Sequence, residues 1–77
     1  MIKVYPNPVN DILYIEKSVM VNSILSLYTL FGKEVLSFES NLLSSELNFS
    51  GLQAGVYFLK VSIPGKQTKT FKIIKNK

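Results

Sequence analysis

The chain has 77 residues, with nine lysines against five acids and no arginine, histidine, cysteine or tryptophan. That length allows one domain, which buries only about 60% of the surface its unfolded form exposes. The missing residue types exclude a Ser–His or Cys–His nucleophile, a disulfide, and a metal site built on imidazole or thiolate.

Charge is unevenly spread. Residues 1–59 hold three lysines against five acids, whereas residues 60–77 hold six lysines and no acid. The opening "MIKVYPNP" has no apolar core of a signal peptide, so the chain reads as cytosolic or as a piece of a longer precursor. No run approaches the ~20 apolar residues of a transmembrane segment.

The first strand is expected to end near Tyr5. Pro6 and Pro8 fix φ, hold their preceding residues extended and cannot donate to a central ladder. "PNPV" is therefore expected to cross between sheets, with Asn10 and Asp11 turning into the next strand. In "ILYIE", Leu13 and Ile15 share one face, with Ile12, Tyr14 and Glu16 on the other. "SILSLYTL" is apolar on both faces apart from Ser26 and Thr29, which predicts a central strand covered on both sides. "FGK" predicts a tight turn with Gly32 at positive φ, and "KEVLSFE" the return strand of a hairpin.

A short strand is plausible at Glu46 to Phe49. "GVYFLKVSI" then places Tyr57, Leu59, Val61 and Ile63 together, opposite Val56, Phe58, Lys60 and Ser62. "PGKQ" marks a turn, and "TKTFKIIK" returns with Phe71 and Ile73 inward and Lys69, Lys72 and Lys75 outward or at its end. About seven short strands with regular turn signals predict an all-β fold, a small Ig-like antiparallel β-sandwich with Greek-key-like connections.

No spacing of the one aspartate and four glutamates suggests a catalytic pair, and no glycine-rich phosphate loop is present. The residues point away from an enzyme and imply no cofactor. Asn7, Asn10 and Asp11 make a conceivable calcium set, but three such oxygens in a turn more often cap backbone. Lysine without arginine argues against nucleic acid, because the guanidinium fork makes the bidentate base contacts. Leu52, Gly55 and Tyr57 have the arrangement of a tyrosine corner, in which the phenol bonds back to upstream backbone. The terminal lysines read first as protection of an edge strand against pairing.

Four blocks, "VYPNPVNDILYIE", "LYTLFGKEVL", "LNFSGLQAGVYFLKV" and "TKTFKIIK", together resemble the C-terminal sorting domain of the type IX secretion system, from Val4 to Lys75. Pro6, Asn7 and Pro8 carry the first block, Gly32 the second, Leu52, Gly55 and Tyr57 the third, and Lys72 and Lys75 the last. Thr29 and Gln53 stand where the family often has Asp and Pro.

The resemblance implies a non-catalytic address behind an upstream cargo domain. It passes through the periplasm and is read by the outer-membrane translocon and its shuttle. A sortase-like protease then commonly removes it, leaving cargo on the cell surface or released. It also implies that Gly55 and Tyr57 hold the fold while the basic last strand presents a recognition surface, through strand addition. The alternative is a small adhesive or carbohydrate-binding sandwich. That would need an exposed aromatic platform, for which Tyr5, Tyr14 and Phe38 are the candidates and look dispersed.

Overall fold

Alternation with period two sets the architecture. In a computed structural model describing residues 2–77, seven strands form: β1 (Ile2–Tyr5), β2 (Ile12–Lys17), β3 (Ser23–Thr29), β4 (Glu34–Ser40), β5 (Ser44–Asn48), β6 (Gly55–Ser62) and β7 (Lys69–Lys75). They make a three-stranded sheet, β1-β2-β5, facing a four-stranded sheet, β4-β3-β6-β7, and every strand pairing is antiparallel. β2 pairs with β5 across an intervening hairpin, and β3 pairs with β6, so the connections switch sheets as a Greek key does. The expected antiparallel β-sandwich is the fold.

The inward set is the one the alternation picks out. Leu13 and Ile15 of β2, Leu25 and Leu27 of β3, Leu59 and Val61 of β6 and Ile73 of β7 are all buried, joined by Val9 and Phe49 from the connections. Each such side chain contributes about 1.5–3 kcal/mol relative to exposure, the dominant favourable term in so small a domain.

β3 is central in its sheet, but only one of its faces is covered by the second layer. Ile24 is half-exposed on the outer face, and Tyr28 lies under the Lys60 ammonium at 5.6 Å from the ring centroid. Outward Ser26 is buried by its own sheet, its hydroxyl 3.0 Å from that of Ser37. Apolar residues on this outer face are stabilised by cross-strand neighbours rather than by a third layer.

β5 starts two residues earlier than the sequence implies and stops before Phe49. The Ser45 hydroxyl lies 3.0 Å from that of Ser40, and the Phe49 N–H donates to the Asp11 carbonyl (2.6 Å).

Both turns form as expected. Gly32 has φ +88°, and the turn at Pro64-Gly65 has the Lys66 N–H donating to the Ile63 carbonyl at 2.9 Å, with Gly65 at φ +77°. Proline then glycine inside that bond is the type II pattern, whose third residue needs positive φ.

The sandwich is 34 Å long, and the registers sort residues to its two ends. Ile2 pairs with Lys17 at one end; Thr29 with Tyr57, and Gly55 with Lys75, mark the other.

Candidate functional site

All four sequence blocks meet at the Gly55 end, the last through the end of β7. The first is held there by a strap. After β1, residues 6–9 cross to the outer edge of β7, where the Asn7 side chain acts as a surrogate strand. Its Nδ2 donates to the Lys72 carbonyl (2.7 Å) and its Oδ1 accepts from the Ile74 N–H (2.9 Å). Val9 continues the strap: its N–H donates to the Ile74 carbonyl (2.8 Å), its carbonyl accepts from the Asn76 N–H (2.9 Å), and its side chain is fully buried.

Both peptide bonds into Pro6 and Pro8 are cis. The prolines suit this position because the side chain of Asn7, not backbone N–H groups at 6 and 8, makes the contacts with β7. Asn7 thus spends both ends of its amide on β7 rather than on an Asx cap of its own turn.

The strap changes the reading of the last strand. Between Lys72 and Asn76 the outward-facing groups of β7 are occupied, so open edge remains only toward its start. Lys72 is exposed, but Lys75 is buried on the opposite face in line with Phe71 and Ile73, its ammonium donating to the Asn76 carbonyl at 2.5 Å. The alternation that places Ile73 inward places Lys75 inward too, so the two lysines do not form one basic surface.

The second element is the tyrosine corner. Tyr57 is buried, donates its hydroxyl to the Gln53 carbonyl at 2.7 Å, and meets Phe49 edge to face at 5.8 Å. Leu52 packs partly buried against the core, its N–H donating to the Phe49 carbonyl (2.9 Å). Gly55 opens β6 at φ +151°. Gln53, standing where the family often has proline, supplies the acceptor through its backbone, so the corner closes without that proline.

The third is the β3–β4 hairpin. The Thr29 N–H donates to the Lys33 carbonyl (2.8 Å), the Gly32 N–H to the Thr29 carbonyl (3.0 Å), and the Lys33 N–H to the Thr29 hydroxyl (3.2 Å). Thr29 thus closes the loop with its own hydroxyl. On this hydrogen-bonded tip Leu30 is 56% and Phe31 94% exposed. Between the tip and the corner lies an open groove of about 440 Å³, lined by residues of both.

Two further features stand apart. Lys17, inward in step with Leu13 and Ile15, buries its ammonium among neutral oxygens: the Val21 carbonyl (2.9 Å), the Ser23 hydroxyl (2.9 Å) and the Ser40 carbonyl (3.0 Å). Loss of hydration lowers its pKa. The sequence reading missed this group, although the alternation of β2 marks it.

Tyr5 and Tyr14 are not dispersed but stacked at 5.7 Å on the outer face of the small sheet. Tyr5 donates its hydroxyl to the Glu16 carboxylate (2.7 Å), and this bond raises the phenol pKa. Phe38, the other candidate for an aromatic platform, is partly buried against the core.

Among known proteins, the family described as the secretion system C-terminal sorting domain matches residues 3–76. Among solved structures the chain is similar to PorZ, an essential bacterial surface component of the type IX secretion system of human oral-microbiomic Porphyromonas gingivalis. The two share 22% identity at a TM-score of 0.81, over 99% of this chain and 11% of that one. That likeness is one of fold. The chain spans about a ninth of PorZ, and no curated protein matches it.

Proposed function

Because the chain belongs to the family of secretion system C-terminal sorting domains, we propose that it is a non-catalytic address directing an upstream cargo across the outer membrane by the type IX route. The family match over residues 3–76 carries this reading. The fold supports it, since the blocks that define the resemblance gather at one end of a self-contained sandwich. On this reading the domain is in the periplasm in transit and reaches the outer membrane or cell surface with its cargo. A translocon and shuttle read it in transit, and a sortase-like protease commonly removes such a domain afterwards.

Pro6, Asn7 and Pro8 serve this role by completing the sandwich, as Gly55, Tyr57 and Leu52 do at the corner and Gly32 at the hairpin. Lys72 keeps its ammonium outward while its carbonyl holds the strap, and Lys75 is structural.

The test is a fusion of residues 1–77 behind a signal peptide and a fluorescent carrier, expressed in a type IX-competent host and in a secretion-deficient one. Surface carrier in the competent host alone is expected, and truncation after Thr70 should abolish it. Carrier held in the periplasm of both hosts would refute the reading.

A further inference from the structure

Phe31 is the anomaly of the surface. It is 94% exposed next to Leu30 at 56%, on a loop closed by three hydrogen bonds. A large apolar side chain held out to water on a hydrogen-bonded turn does nothing for the domain's own stability, but the closed turn lowers the backbone ordering cost of an encounter. Its neighbour is concave: the groove beside it is bounded by Gln53, Gly55 and Tyr57. Beyond the Gly55 backbone nothing lies within 4 Å of where a Cβ would stand, so the missing side chain leaves the groove open there. Lys33 is the one charged side chain lining it among the described residues, and its ammonium has no partner there.

We infer that this groove is where a partner protein reads the domain. A loop of the partner inserts an apolar side chain between Phe31 and Gly55 and sets a carboxylate on Lys33. The inference rests on the sorting reading and names the surface that reading requires. Charge selects the partner's chemistry, because an unpaired rim ammonium favours an acidic neighbour and penalises a basic one. Shape separates the occupants. A lipid surface is flat and would meet the tip while leaving the groove empty, and a second copy joined tip to tip would set Lys33 against Lys33.

The test uses the same carrier fusion with F31S, K33E and, as a control at the opposite end, M20S, whose side chain is 68% exposed. All three variants are expected to melt within a few degrees of wild type, since exposed side chains change stability little. F31S and K33E should each lower surface display about tenfold or more, the scale of an interface hot spot, while M20S is displayed normally. F31S displayed at the wild-type level, with wild type sorted, would overturn the groove assignment and leave the sorting reading standing. Wild type retained in the periplasm would overturn the sorting reading and this one with it. The purified chain is expected to sediment as a monomer and not to float with phosphatidylglycerol vesicles. A Phe31-dependent dimer, or Phe31-dependent flotation, would assign the tip to a second copy or a membrane and overturn the proposal.

Discussion

Replacing Asn7 with alanine removes both side-chain bonds of the strap, to the Lys72 carbonyl and from the Ile74 N–H. Each is worth about 0.5–1.5 kcal/mol net. The site is exposed, so water can reach the two freed backbone groups and the lower half of the summed range applies, about 1–2 kcal/mol. Val9 sets the ceiling. It is fully buried and tied to β7 by its own two backbone bonds, and losing its burial as well would add about 1.5–3 kcal/mol. For a domain of this size total stability is about 4–12 kcal/mol, so even the smaller figure is a large fraction. The melting temperature should fall by roughly 5–15 °C.

Urea unfolding followed by far-ultraviolet circular dichroism gives the free energy, and amide exchange at Ile74 gives the location. The expected result is a lower midpoint with Ile74 exchanging faster. Asn7→Asp should be at least as harmful as alanine, since its carboxylate keeps the acceptor but faces the Lys72 carbonyl where a donor stood. An Asn7→Ala variant within 0.5 kcal/mol of wild type, about the spread of ordinary surface substitutions, would refute the surrogate-strand account.

Tyr57→Phe keeps the ring against Phe49 but strips the donor from the Gln53 carbonyl, and should cost about 1–2 kcal/mol by denaturant titration. Gly55→Ala meets no neighbouring atom within 4 Å at φ +151°, so its cost is backbone strain alone, about 1–3 kcal/mol. The strand pairing seen by NMR should be unchanged. The pH dependence follows from Lys17. Its pKa in the fold lies below the ordinary 10.5, so between those values the unfolded chain binds more protons, and stability should rise with pH through that window. The raised pKa of Tyr5 acts in the opposite sense above pH 10. The slope is therefore best read by comparing Tyr5→Phe with Tyr5→Phe/Lys17→Met, the second of which should lose the rise.

Local pattern and tertiary placement were legible to different degrees. Strands β2, β6 and β7 and the Gly32 and Gly65 turns could be read directly, because period-two alternation and glycine's access to positive φ are local properties. The tyrosine corner was legible for the same reason: its bond spans four residues. The strap was only half visible. The prolines showed that the segment could not be a central strand, but Asn7's partners lie 65 and 67 residues away. Lys75 was misjudged, and Lys17 missed, by residue type against alternation. Lysine is rarely buried, yet the Val21 carbonyl and the ends of β3 and β4 satisfy the Lys17 ammonium, and the carbonyl of the next residue takes that of Lys75. The outer face of β3 misled in the opposite direction, since apolar residues on a half-wet sheet serve cross-strand pairing as well as burial. The exposure of Phe31 had no local signal beyond its place in the turn.

The strap also sets the order in which the domain is completed. Residues 7–9 have no seat until residues 72–76 are in place, so the contact closes a loop spanning most of the chain and is among the slowest to form by topology. Until β7 docks, β6 has a bare edge, and Val9 lacks the β7 backbone bonds that hold it in the core. A polypeptide still growing, or one clipped ahead of Ile74, would present that unpaired edge to chaperones and proteases. Only a chain that extends to Asn76 has both the Gly55 end assembled and the second half of the β7 edge covered. Residues 7–9 thereby verify that residues 72–76 have been made.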